Sequence, residues 1–143
     1  MSNKLMGAAA VILNGEGHIL LVKHSYGKLN WELPGGLSEK SESAEETAKR
    51  EVVEETALDV SVGRLTGIYY EPRNDMHHFV FLCQVTGNPS PQLCSPEILE
   101  CKYWSIDDLP RPISDFTLQR IREATNPDPD RLFHIIGPRQ WLE

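Results

Sequence analysis

The segment GLSEKSESAEETAKREVVEETAL, residues 36–58, has no glycine after its first position and no proline at all. Ser43-Ala44-Glu45-Glu46 fits a capping box, with Ser43 as N-cap and Glu46 three residues on. Ala44, Ala48 and Val52 follow as an apolar row at i, i+4 and i+8, so the spacing predicts a helix over about 44–57. Inside it, Arg50-Glu51-Val52-Val53-Glu54-Glu55-Thr56 puts Glu51, Glu54 and Glu55 on one face, because they are three and four residues apart. Like charges at that spacing cost roughly 0.2–0.5 kcal/mol per pair. Converging carboxylates suit a hard divalent cation such as Mg²⁺ or Mn²⁺, which would remove the repulsion. A solvated glutamate-rich face has the same local sequence, so the flanking chain has to decide between the two.

Upstream, residues 8–13 (AAAVIL) and 18–23 (HILLVK), split by Asn14-Gly15-Glu16-Gly17, are expected to form a hairpin. Asn30-Trp31-Glu32-Leu33 is a short extended piece ended by Pro34-Gly35-Gly36, a tight loop whose backbone can approach a ligand closely. Its delivery towards the first turns of the helix also favours an anion such as phosphate. Downstream, residues 59–70 and 78–85 have strand character, and Phe79, Phe81, Cys83 and Val85 alternate with Val80 and Leu82 as in a central strand covered on both faces. Gly87 to Pro91 is a loop, Lys102-Tyr103-Trp104 an edge strand, and 114–125 a second helix capped by Ser114 and stopped by Asn126-Pro127. The order β-β-β-α-β-β-β-α predicts one α/β domain over residues 1–143, an α/β/α sandwich with a mixed sheet between helices.

The 143 residues carry 14 basic and 21 acidic side chains, a net charge of −7 that opposes a broad DNA- or RNA-binding surface. An acidic protein that handles an anionic substrate needs cations to bridge the repulsion. No apolar run approaches the ~20 residues of a membrane span, and the start of the chain is expected to be a first strand instead of a signal peptide. Cys83, Cys94 and Cys101 form no CxxC pair, which fits reduced thiols in a cytoplasmic protein.

Written as G36-x5-E42-x7-R50-E51-V52-x-E54-E55-x-A57-L58, the opening segment resembles the Nudix box, G-x5-E-x7-R-E-U-x-E-E-x-G-U with U aliphatic. Gly36, Glu42, Arg50, Glu51, Glu54 and Glu55 all fall at the family's offsets, and Trp31-x-Leu33-Pro34-Gly35-Gly36 resembles its usual approach to the box. Two positions depart: Ala57 stands where the box has glycine, and Ser41 where glycine is frequent. Neither carries charge, so stability and loop shape are affected before chemistry.

The resemblance implies metal-dependent hydrolysis of a nucleoside diphosphate linked to another moiety, either a nucleoside triphosphate or a sugar nucleotide such as ADP-ribose. It implies Glu54 and Glu55 as principal ligands of Mg²⁺ or Mn²⁺, with the Gly35 carbonyl as a further ligand. Glu51 is implied as ligand or base, Arg50 as the residue that orients the glutamates, and Glu42 as a support at the loop-to-helix junction. A glutamate outside the box often completes the site in this family; Glu97 and Glu100 are the candidates, and Glu100 is taken as the ligand. Gly36 is expected at the substrate, Trp31 and Tyr70 as stacking surfaces, and Arg73 as a phosphate contact. His77-His78 fit polar capping of a strand end better than a metal site, and Pro72 fits a plain loop proline. Leu132, Ile135, Ile136 and Trp141 of the tail are expected to pack on the domain or on a second subunit, in a monomer or homodimer. The alternatives are a non-catalytic Nudix-like nucleotide sensor, which the intact carboxylates oppose, and an RNA-end pyrophosphatase, which the net charge opposes.

Overall fold

Ala8–Ile12 and Ile19–Val22 are unbroken runs of apolar residues, and every one of those side chains is buried, as in strands covered on both faces. The computed structural model describes residues 3–93 and 95–143. In chain order the elements are β1 (Leu5–Ile12), β2 (Ile19–His24), β3 (Trp31–Glu32), β4 (Gly35–Leu37), α1 (Ala44–Thr56), β5 (Val60–Glu71), β6 (Met76–Val85), β7 (Ile98–Trp104), β8 (Ile113–Ser114), α2 (Asp115–Thr125), β9 (Phe133–Ile135) and β10 (Trp141–Leu142). A 3₁₀ turn, Pro72–Asn74, joins β5 to β6.

The strands make two mixed sheets, ordered β4-β1-β6-β5-β9 and β10-β8-β3-β2-β7. The single sheet expected from sequence is thus divided, and the expected hairpin is not formed. β1 and β2 lie in different sheets, and among the described residues their backbones pair only at the Leu13–Ile19 bridge. Asn14 Oδ1 accepts the amides of Glu16 and His18 there, so a side chain closes the turn where a ladder would have continued. β1 instead runs parallel to β6 from Leu5–Met76 to Ile12–Cys83.

Ala48 and Val52 of α1 pack on Ala8, Ala10, Ile12, Phe81 and Cys83, one face of the first sheet. Its other face, with Ala9, Val11, Tyr69 and Val80, meets Ile19, Leu21, Trp31 and Leu33 of the second sheet's side and Phe116, Ile121 and Ala124 of α2. β6 is the central strand of its sheet, with Phe81 and Cys83 towards α1 and Val80 away from it, as its alternation predicts. His77 and His78 are the second and third residues of β6, at the start of the strand as expected. β7 is an edge strand as expected, but begins four residues earlier than the predicted start at Lys102.

The tail is ordered through its backbone. β9 adds parallel to β5, and the Ile136 amide donates to the Tyr70 carbonyl. β10 pairs with β8. Ile136 is buried, but Leu132 and Ile135 are 39% and 75% exposed, so of the two expected alternatives these two do not take packing on the domain. No helix among the described residues is long and apolar enough to cross a membrane.

Candidate active site

Helix α1 starts with the predicted capping box: Ser43 Oγ accepts the Glu46 amide, and the Glu46 carboxylate accepts the Ser43 amide. Two turns later Arg50 gathers the surrounding carboxylates. Its Nε donates to Glu42 Oε2 at 2.7 Å and its Nη2 to Glu42 Oε1 at 3.0 Å, a two-pronged pair of the strong, planar kind. Nη1 donates to Glu51 Oε1 at 3.0 Å and to both oxygens of Glu54 at 3.2 Å, and Nη2 also reaches the Leu37 carbonyl. Glu42 accepts the Glu39 amide and the Thr47 hydroxyl as well. The Arg50 guanidinium and these donors hold the Glu42 carboxyl down to about 2.

Strand β4 brings two glycines against these acids. A side chain at Gly36 would place its Cβ 2.6 Å from the Glu51 carboxylate, and one at Gly35 would overlap the Ala8 carbonyl oxygen on β1. The Gly35 amide donates to Glu55 Oε1 at 2.8 Å. Glu55 is only 7% exposed, and burial pushes its carboxyl up to about 8; the Gly35 amide opposes this, while the charges of Glu51, Glu32 and Glu97 add to it. Burial also raises Glu51, against the pull of Arg50.

These acids fit a hard dication by the chemistry of the donor set, which is all oxygen, and by the charge that burial leaves uncompensated at Glu55 and Glu51. Among the described residues no three acidic, histidine or cysteine side chains already converge as a ligand set, because Arg50 lies between Glu51 and Glu54. Glu54 and Glu55 would hold the ion, with Glu51 beside them as a further ligand or as base. Glu97 is within electrostatic reach of both Glu51 and Glu55. Glu100, the ligand expected from sequence, is three residues further along, exposed on edge strand β7.

On the other side of Gly35 and Gly36 opens a cleft of about 290 Å³, floored by Gly7, Ala8 and Ala9. Its polar wall is buried. Arg120 Nη2 donates to Glu32 Oε1 at 2.6 Å, and the Leu33 amide and Thr117 hydroxyl donate to the same oxygen. His78 Nε2 meets Glu71 Oε1 at 2.9 Å, and Asn74 donates to Glu71 Oε2. Burial lowers the His78 imidazole, so it is held neutral at neutral pH. Tyr26 and His24 line the mouth with rings stacked at 4.7 Å.

The NUDIX domain model matches residues 3–124. The chain belongs to the NUDIX family. A Bacillus subtilis (strain 168) protein, named as a candidate 8-oxo-dGTP diphosphatase, is 40% identical over 81 residues, 57% of this chain and 54% of that protein. The match to the ADP-ribose pyrophosphatase of Methanocaldococcus jannaschii is 30% identical over 106 residues, 70% of this chain and 62% of that one. The chain spans about half the length of the first of these relatives. Among solved structures, a NUDIX hydrolase from Nitrosomonas europaea superposes with a TM-score of 0.82 over 96% of this chain and 81% of its own at 20% identity, a likeness of fold. An ADP-ribose pyrophosphatase from Streptococcus suis gives 0.74 over 94% of this chain and all of its own, at 27% identity.

Of the residues singled out by likeness to the NUDIX box, Glu42, Arg50, Glu51 and Glu54 form one hydrogen-bonded cluster, and Gly35, Gly36 and Glu55 border it. The substrate contacts outside the box lie elsewhere. Trp31 is 4% exposed in the core, its ring edge-on to Trp104, since its side of β3 faces inward and the neighbouring Glu32 faces the cleft. Tyr70 donates to Asp75 and lies tilted against the His77 ring, outside the cleft lining, and Arg73 is exposed in the 3₁₀ turn. Sequence reasoning missed Glu32, Glu71, Arg120 and Arg139, all of which line the cleft. The only sequence signal for them was a charged residue within an otherwise apolar stretch, as at Glu32 between Trp31 and Leu33.

Proposed function

We propose that the protein is a Mg²⁺- or Mn²⁺-dependent pyrophosphohydrolase that cleaves the diphosphate of a small nucleoside diphosphate-X substrate, a nucleoside triphosphate or a sugar nucleotide such as ADP-ribose, in the cytoplasm. The observation that carries this is the intact set of box carboxylates gathered on Arg50 beside the Gly35-Gly36 backbone. The names of the Bacillus and Methanocaldococcus relatives support both substrate types.

A divalent ion bound here supplies neutralisation of the diphosphate charge and a more acidic attacking water. Glu54, Glu55 and the Gly35 carbonyl would hold it, with Glu97 as the acid from outside the box. Glu51, whose carboxyl burial already raises towards neutrality, takes the proton from the attacking water. Arg50 fixes Glu51 and Glu54 relative to each other, and Glu42 fixes Arg50. Gly36 leaves room for the Glu51 carboxylate that any larger residue would displace.

The test is a hydrolysis panel of nucleoside triphosphates, 8-oxo-dGTP, ADP-ribose and other sugar nucleotides with Mg²⁺ or Mn²⁺, run beside Glu54→Gln. Turnover of one class that is lost in EDTA and falls at least ~100-fold in the variant is the expected result. Tight nucleotide binding with no turnover under any metal would overturn the enzyme in favour of a sensor domain.

A further inference from the structure

The matched NUDIX domain ends at residue 124, yet one wall of the cleft comes from residue 139. Arg139 is carried there by a braced segment. Ile136 on one side is buried and bonded to Tyr70, and Gln140 on the other exchanges two hydrogen bonds with Asp115, amide to carboxylate at 2.9 Å and carbonyl to amide at 2.8 Å. The Arg139 guanidinium stands over Phe116 at 5.3 Å, with Nη2 4.0 Å from Glu71. Its Nε is buried and has no hydrogen-bond partner among the described residues. The side chain as a whole is one-third exposed and lines the cleft, so the terminal guanidinium nitrogens, not Nε, are the donors a bound group can reach.

The chemistry of that group follows from the lining. Two guanidiniums (Arg120, Arg139) face two carboxylates (Glu32, Glu71), so the cleft has no surplus positive charge with which to hold a phosphate. The same lining includes the small residues Gly7, Ala8 and Ala9 and the stacked His24–Tyr26 rings, against which a flat group can lie. About 290 Å³ is at the lower end of small-molecule sites and takes one nucleoside-sized group. A neutral heterocycle with acceptor and N–H atoms on adjacent edge positions satisfies this wall; a second phosphate does not.

We propose that Arg139 is a specificity-determining residue, a terminal guanidinium N–H donating to an acceptor on the edge of the substrate's nucleobase while Glu71 accepts from a neighbouring N–H. The inference rests on the pyrophosphohydrolase assignment for where the diphosphate runs, out of the cleft across Gly35-Gly36 to α1.

The experiment compares wild type, Arg139→Gln and Arg139→Lys on ATP, GTP, CTP and UTP and on the corresponding sugar nucleotides, with kcat and KM measured separately. Binding of the four nucleoside monophosphates without metal is measured in parallel by calorimetry. The preferred base in wild type is expected to lose 10–100-fold in kcat/KM in both variants, mainly through KM, while the poorer bases change less than 3-fold, so that discrimination collapses. The monophosphates are expected to reproduce this ranking. A uniform loss across all bases, or unaltered base ratios, would overturn the proposal and leave Arg139 a structural residue. Should wild type turn over none of the substrates, the monophosphates decide alone: base-selective binding that the variants lose upholds the role of Arg139 while the hydrolase assignment fails, and absence of base-selective binding overturns it.

Discussion

Glu55 of α1 and Glu42, just ahead of that helix's N-cap, are pushed in opposite directions, which makes their pH behaviour a direct test of the site. The Glu42 carboxyl, held at about 2 from an ordinary 4.5, stabilises the fold fully above pH 4.5, and that contribution is lost as pH falls from 4.5 towards 2. The Tm of Glu42→Gln is therefore expected to lie below wild type at pH 7 and to converge with it near pH 2, as thermal melts across that range would show. Glu55 has the reverse sign. Its carboxyl is raised to about 8, so its favourable contribution is complete below 4.5 and disappears as pH rises through 8. In EDTA, Glu55→Gln should match wild type below pH 4.5 and exceed it by roughly 4 kcal/mol at pH 8. Adding Mg²⁺ should stabilise wild type more than the variant, and equal stabilisation of both would remove Glu55 from the ion's ligands.

At the scale of elements, the adjacent glycines of β4 should separate stability from activity. Gly35→Ala drives a methyl group into the backbone of β1 at Ala8, which has no freedom to yield, and is expected to cost about 2 kcal/mol or more in denaturant unfolding. Gly36→Ala meets only the Glu51 carboxylate, so it should fold nearly as well and lose most activity, roughly 100-fold. The end of α1 offers a gain. Ala57 holds a left-handed conformation, φ 62°, at the position where the box has glycine, and Ala57→Gly should raise stability by about 1 kcal/mol. Helix α1, its cap, its carboxylate face and the central strand β6 were legible because local chemistry fixes them: a capping box, a 3.6-residue repeat and an alternation of apolar side chains. The division into two sheets was not, since runs buried on both faces, such as Ala8–Ile12 and Ile19–Val22, give no indication of which strand will be their neighbour. The cleft was hidden for a related reason. Glu32, Glu71, Arg120 and Arg139 are far apart in sequence and acquire their meaning only when β3, β5, α2 and the tail meet.

Across the whole molecule, the Glu32–Arg120 pair ties the second sheet to α2 through buried charge. Removing one partner strands the other, so Arg120→Met is expected to cost about 3–5 kcal/mol, and combining it with Glu32→Met should recover a large part of that loss in a double-mutant cycle. Strict additivity of the two would show that the pair does not couple the layers. Between Glu32 and Gly35 the chain leaves one sheet and joins the other within two residues, Leu33 buried and the Pro34 carbonyl accepting the Ala10 amide at 2.9 Å. That step is the fixed span of a caliper. One jaw, on the second sheet, bears on the end of the substrate that enters the cleft; the other, on the first sheet, bears on the bonds to be cut. With the span locked by main-chain bonds, a nucleotide seated in the cleft as proposed would present the same phosphorus to α1 whatever group follows it. The protein would measure its substrate from the base outward and leave the far end unread.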